Sequence, residues 1–264
     1  METLDKKVIG LIMTYNCGAL AERTYKRLPK ELLDQIICVD DGSTDNSVKI
    51  MEQFGIPVFT HPHAGYGGNL LFGLRKAIEL GATQVVEIHG DGQYDFASII
   101  PALNKLDSGY DLILGNRFYK MTKPLSDGMD LVRYFGNIFL SSIARFGLGI
   151  NARDFFSGFR AYSCRLVNTL GFSSNSENYF FSFELIAQAH YLNLNICWVP
   201  THCDYKGEHT SMKLRKGIPA ILHTIKTTTL YRLARCNIKR GVFATLKDRE
   251  PLDPKLPRSH PLGQ

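Results

Sequence analysis

The residues with the clearest chemical capacity follow an apolar run that stops on polar groups: Val85-Val86-Glu87-Ile88, then His89-Gly90-Asp91-Gly92-Gln93. The β-branched run reads as a buried strand. Gly90 and Gly92 allow a tight turn and close approach of a ligand. In an open parallel sheet, ligands bind beyond the carboxyl ends of strands. Asp91 is therefore expected at the mouth of a cleft, with His89 and Gln93 beside it, as a site for a divalent cation against a diphosphate. The same pattern also suits a plain strand-to-helix turn in which Asp91 caps the next helix.

Two further runs end in the same way. Residues 7–13 stop at Thr14-Tyr15-Asn16, and residues 35–39 stop at Asp40-Asp41-Gly42-Ser43. Asp40 suits hydrogen bonds from a ribose or base, and in a doubly wound sheet all three strand ends converge on one cleft. The Gly65–Gly68 loop, with Gly67 inside it, loosely resembles a phosphate-binding turn but lacks the lysine of a nucleoside-triphosphate loop. That lack argues against a nucleotidyltransferase.

Alternating elements must position these groups. Strands are expected at residues 7–13, 35–39, 57–60, 85–88 and 111–114. Helices are expected between them, at 19–28, up to 54 with Ser43 or Thr44 as N-cap, from the glycines to 80, and at 97–106. Such alternation predicts an α/β fold with a parallel sheet covered on both faces. The second half is less regular: a helix over 131–146, a strand over 160–163, a helix over 179–191 carrying Glu184, and a strand over 196–200. A loop over 205–214 follows, then a basic helix to 235. The dense aromatics around Phe155 and Phe180 are expected mainly in the core.

The chain has 264 residues and 44% hydrophobic content, enough for one large domain. We expect that domain over 1–240, with a nucleotide-binding half (1–116) and an acceptor half (117–240). A Pro-rich charged tail, 241–264, follows. From Tyr205 onward there are 13 Lys and Arg against 4 Asp and Glu, on an otherwise mildly acidic body. This asymmetry points to an anionic surface or partner. Six cysteines show no Cys-x-x-Cys pair, which argues against zinc and favours reduced thiols. Neither a signal peptide nor a membrane-spanning run of about 20 apolar residues is expected.

Taken in order, Thr14-Tyr15-Asn16, Val39 to Ser43, His89 to Gln93, Asn116-Arg117, Arg133, Asp154 to Arg160 and Glu184 resemble the glycosyltransferases of family 2, over residues 7–235. The likeness is strongest to the dolichyl-phosphate mannose synthase and polyprenyl-phosphate glycosyltransferase branch. It implies a GT-A fold, a Rossmann-like and mostly parallel sheet flanked by helices. A UDP- or GDP-sugar donor, Mg²⁺ or Mn²⁺, and inversion at the sugar carbon are implied as well. Thr14, Tyr15, Asn16, Asp40 and Asp41 fall on the donor side. Asp91 matches the second acid of the metal motif and Gln93 its following glutamine, while His89 stands where the first acid is usual. Met13 and Cys17 also depart from the pattern. Arg117 and Arg133 match positions facing the acceptor phosphate, a role suited to paired guanidinium donors. Lys213 lies in a late loop that would fold over the donor.

Glu184, with Asp154 as a second acid, bears on the acceptor. A sugar hydroxyl needs a general base; a polyprenyl phosphate is already an anion and does not. The leading expectation is an inverting transfer to a polyprenyl phosphate at the cytoplasmic face of a membrane. Transfer to a glycan or glycolipid hydroxyl, and nucleotide-sugar binding without turnover, are the alternatives. Ile218, Ile221, Leu222, Ile225, Thr229 and Leu233 form one stripe of the basic helix, suited to lie on anionic lipid or to pack on the domain. A membrane protein or a second copy of the chain are further partners to test. Nucleic acid is not expected.

Overall fold

The computed structural model describes residues 5–170, 175–205 and 217–247. Its centre is β1 (Val8–Thr14), buried along its whole length between β2 (Gln35–Asp40) and β4 (Gln84–His89), both parallel to it. The short β3 (Val58–Thr60) extends the sheet beyond β2. On the other side come β5 (Leu112–Asn116), β6 (Arg160–Ser163) and β7 (Ile196–Pro200), so that the order is β3-β2-β1-β4-β6-β5-β7. Alternation along the strands feeds two cores. Ile9, Leu11 and Met13 face one layer of helices, whereas Val8 and Ile12 face the other.

One layer is α1 (Gly18–Arg27), α2 (Ser47–Gln53) and α4 (Ile99–Asp107), which bury Ala21, Met51 and Ala102. The other contains α3 (Gly65–Glu79), α7 (Cys164–Leu170), α8 (Phe181–Tyr191) and the pair α6 (Leu131–Leu148) and α9 (Gly217–Arg235). A one-turn helix, α5 (Lys123–Ser126), precedes α6. Asp130 caps α6 by accepting from the Arg133 amide, and Gly149, left-handed, ends it.

The expected α/β architecture, a mostly parallel sheet flanked by helices, is what forms. Three local expectations need correction. β6 runs antiparallel to both β4 and β5. This reversal puts Arg160, the first residue of β6, opposite Glu87 and Leu114. Neither Ser43 nor Thr44 caps α2: Ser43 is drawn to Asp40 and Thr44 to Asn16, and Asp45 accepts from the Ser47 amide instead. The tail does not begin at 241, because Val242, Phe243 and Leu246 are buried, with Phe243 against Tyr191 and Tyr231. Residues 248–264 lie outside the described residues. No described helix is long and apolar enough to cross a membrane.

Candidate active site

The carboxyl ends of β2, β1 and β4 bring Asp40, Thr14, His89 and Asp91 to one edge of the sheet, in that order. Asp40 is buried and held in place by three hydrogen bonds. It accepts from the Thr14 hydroxyl at 3.0 Å, the Ser43 amide at 2.8 Å and the Ser43 hydroxyl at 2.5 Å. Asn16, at φ 47°, lies in the left-handed region that Asn tolerates, and its Oδ1 accepts from the Thr44 amide at 2.8 Å. The Cys17 amide donates to Ser47 and the Gly18 amide to Asp45. The loops after β1 and β2 are thus zipped together. Tyr15 is left exposed above them, stacked on His63 at 4.5 Å between centroids. His63 also meets Asp41 at 2.9 Å. No spacing in the sequence singled this histidine out.

Asp41 and Gly67 serve the start of α3. Asp41 accepts from the Ala64 and Gly65 amides at 2.7 and 3.0 Å. The Gly67 and Gly68 amides donate to the Glu177 carbonyl at 2.7 and 3.0 Å. A Cβ on Gly67 would lie 2.4 Å from the Ser176 carbonyl oxygen. Glycine here therefore admits the chain before α8, and those four amides are satisfied by the protein itself rather than held open for a phosphate.

Beneath the β4 end lies a buried network that was not foreseen. Glu87 accepts from Tyr66 at 2.6 Å and from Tyr162, and meets His89 Nε2 at 2.9 Å. Arg160, also buried, approaches Glu87 at 3.9 Å and donates to the Tyr66 hydroxyl at 3.0 Å. Burial alone would raise the Glu87 pKa, but His89 and Arg160 outweigh it and hold Glu87 below the usual carboxylate range. For His89, burial acts to lower the pKa and the Glu87 carboxylate reverses it, so its pKa is raised. The signals were an acid inside an apolar strand and an arginine opening another.

These contacts bear on the metal reading. His89 presents Nε2 to Glu87 at 2.9 Å, so that nitrogen is already taken by the protein. The Asp91 carboxylate is mostly buried and accepts from the Gln93 amide at 3.1 Å. Among the described residues no three His, Cys, Asp or Glu side chains are grouped to hold a metal. The donor set fits a hard divalent ion held by one carboxylate and completed by substrate phosphate and water, the usual habit of Mg²⁺. It does not fit an all-protein cage.

The acceptor-side candidates gather at the end of β5. Asp154 grips Arg117 bidentately, from Nε at 2.7 Å and Nη2 at 2.9 Å, and also accepts from the Arg117 amide at 3.0 Å. Arg117 further donates to the Tyr205 hydroxyl at 3.0 Å and to Asn137 at 3.1 Å. Burial disfavours the Arg117 charge, but Asp154 more than compensates and its pKa is pushed well up. Arg133 is more open. Its guanidinium lies 5.7 Å from the Tyr205 ring centre and 3.6 Å from Asp130. The two sides are tied together, since Tyr94 bridges to Cys203 and the Asp204 amide donates to the Gln93 carbonyl at 2.9 Å.

Glu184 stands apart from this cluster, buried at the start of α8. Its carboxylate accepts from the Ser176 amide at 2.7 Å and the Ser176 hydroxyl at 2.6 Å, and pairs with His223 at 3.2 Å. Burial acts to raise its pKa; His223 and Ser176 win, and the pKa is lowered. Lys213 lies outside the described residues.

Comparison with known proteins bears on the family and the fold. The model of the family described as "Glycosyl transferase family 2" matches residues 11–171. The UDP-N-acetylglucosamine–dolichyl-phosphate N-acetylglucosaminyltransferase of Methanococcus voltae is 30% identical over 222 residues, covering 76% of this chain and 87% of that protein. The polyprenol monophosphomannose synthase of Mycolicibacterium smegmatis is 25% identical, covering 74% and 76%. Among solved structures, glucosyl-3-phosphoglycerate synthase from Mycobacterium tuberculosis in complex with UDP superposes with a TM-score of 0.63. It is 19% identical, covering 89% of this chain and 82% of that one, and shares the fold.

Proposed function

The chain belongs to glycosyl transferase family 2, and from that membership we propose that it moves a sugar from a UDP-sugar to a polyprenyl phosphate, with inversion, at the cytoplasmic face of a membrane. The observation that carries the choice of acceptor is the state of the two acids. Asp154 is clamped on Arg117, and Glu184 is held by Ser176 and His223. Both are consumed as hydrogen-bond acceptors, and neither is poised to strip a proton from a hydroxyl. A phosphate acceptor is an anion at neutral pH and requires no such base. The relatives from Methanococcus voltae and Mycolicibacterium smegmatis are named for dolichyl-phosphate and polyprenol acceptors, which supports the same choice.

In this reading Asp91 holds Mg²⁺ or Mn²⁺, which when bound neutralises charge on the leaving diphosphate. Tyr15, exposed and backed by His63, offers a face for the base. Asp40, fixed by Thr14 and Ser43, receives the ribose side. Arg133 grips the acceptor phosphate while Arg117, locked by Asp154, shapes the ground beneath it. The chemistry is a direct displacement: a phosphate oxygen of the acceptor attacks the anomeric carbon and the bond to the nucleotide diphosphate breaks. In-line attack inverts that carbon, and no proton need move in the step.

The test is transfer from a panel of UDP- and GDP-sugars, with Mn²⁺, to a short-chain polyprenyl phosphate. The expected product is a sugar linked to the prenyl phosphate in inverted configuration. Transfer only to sugar hydroxyls overturns the acceptor reading, and donor binding without any transfer makes the chain a nucleotide-sugar-binding protein. Asp91→Asn should lower turnover at least about a hundredfold, the order lost with a principal charge-stabilising group, with an unchanged circular dichroism spectrum. Near wild-type turnover in that variant would move the metal elsewhere.

A further inference from the structure

Asn116 ends β5, one residue before Arg117, and is only 7% exposed. It also stands at the head of the short 3₁₀ turn Arg117–Tyr119, a position from which an asparagine side chain ordinarily caps the turn. Asn116 makes no such bond. Its Oδ1 is sealed from solvent without a hydrogen-bond partner. Native proteins rarely leave a buried amide idle, because its desolvation is then uncompensated. The neighbouring strand repeats the pattern. Arg160 lies opposite Leu114 in the β5–β6 ladder, so its side chain shares a face of the sheet with those of Leu114 and Asn116. Its Nη1 serves Tyr66, but its Nε is buried and unpartnered. One face at this end of the sheet thus holds an idle acceptor and an idle donor on adjacent strands.

We propose, resting on the UDP-sugar reading above, that the Asn116 side chain binds a hydroxyl of the sugar being transferred and so selects which sugar is used. Asp91, the candidate on the diphosphate side, follows β4, and Arg117, which opens the acceptor cluster, follows β5. Only β6 lies between those two strands. Their ends are therefore two strand spacings, roughly 10 Å, apart. A pyranose that leaves a diphosphate on one side for a phosphate on the other crosses that interval. The base, placed on Tyr15 after β1, lies on the far side of β4. Of the parts of the donor, the sugar is the one that reaches β5. Chemistry selects the same group. A phosphate offers acceptor oxygens only and would set its charge against Oδ1. A sugar hydroxyl both donates and accepts, so it answers the oxygen as well as the N–H of an amide.

Calorimetric titration of the full chain, with Mn²⁺ and without an acceptor, tests this. The ligands are UDP, UDP-glucose, UDP-galactose and UDP-N-acetylglucosamine. Asn116→Ala should bind at least one of the sugar nucleotides about tenfold more weakly, the loss of one hydrogen bond, and should bind UDP as the wild type does. Analogues of that sugar nucleotide, each lacking one hydroxyl, locate the contact. One of them should bind the wild type about tenfold more weakly than its parent but bind Asn116→Ala as the parent does. Asn116→Leu exchanges the amide for an apolar group of similar volume. Without ligand it should unfold at an unchanged or higher temperature, since no bond is lost. A lower unfolding temperature would give the amide a structural role and overturn the proposal. So would sugar-nucleotide affinities indifferent to Asn116→Ala, the result expected if an ordered water alone serves the amide. Equal weakening of UDP and its sugars would show that Asn116 shapes the cleft without touching the sugar, and wild type that binds UDP but none of the sugar nucleotides also overturns the proposal. Failure to bind even UDP defeats the donor reading itself. Failure to glycosylate a prenyl phosphate defeats the acceptor reading and leaves the binding result standing.

Discussion

Glu87 accepts from two tyrosines, pairs with His89 and faces Arg160, all within the sheet floor beneath Asp91. A buried ionic group of this kind contributes most through what its loss leaves behind. Glu87→Gln strands the Arg160 charge and should destabilise the fold by about 3 kcal/mol, read as a lower urea midpoint. The sign with pH follows from the lowered pKa of Glu87. Its stabilisation is present above the ordinary carboxylate pKa and is lost as pH falls through the folded value. The gap between wild type and variant should therefore close in acid; a gap that widens there would contradict the assignment. Arg133, by contrast, is partly open. Arg133→Ala should raise the acceptor KM about tenfold, the loss expected for one charge-assisted hydrogen bond, with the donor KM unchanged; a donor effect alone would move Arg133 to the diphosphate. The strand-end polar clusters were legible because each apolar run stops on them. The state of the acids was not. Asp154 is spoken for by a residue 37 positions away and Arg160 by one 94 away, and no local pattern carries that information.

Strands and the helices between them were readable as elements because β-branched runs and helical spacing are local properties. Direction was not: the residues of β6 suit either orientation, and its reversal follows from where the chain enters after Asp154. The α8–α9 contact is likewise tertiary, with the Glu184–His223 pair beside its packed rings. His190 stacks on Tyr231 with ring centres 5.5 Å apart. Burial, then the nearby Arg235 and Arg232 charges, lowers its pKa to about 4. Here the unfolded chain takes up a proton near the ordinary histidine pKa and the folded chain does not. Stability should therefore fall as pH drops from 6.5, the ordinary value, toward 4. His190→Gln should flatten that limb of a urea-midpoint profile. An unchanged acid limb in the variant would show that His190 is not the group responsible.

At the scale of the whole molecule, the candidate donor groups sit on loops after the central strands β2, β1 and β4, whereas the acceptor candidates sit beyond β6. A ligand on the donor loops therefore braces the middle of the sheet, and anything that binds only the folded state raises its apparent stability. At a hundred times its Kd a UDP-sugar should add about 2.7 kcal/mol, a rise in Tm of roughly 5–10 °C for a domain of this size. If Asp91 holds the ion, Mn²⁺ should enlarge the shift in the wild type. In Asp91→Asn only the nucleotide part should remain, because Tyr15, Asp40 and their supports are untouched. A Mn²⁺ increment of full size in that variant would remove Asp91 from the metal site. Loss of the nucleotide increment as well would mean that Asp91 supports the loops themselves, through its contact with the Gln93 amide and the link from Gln93 to Asp204. Differential scanning fluorimetry on the two proteins, with and without each ligand, separates these cases without requiring an acceptor.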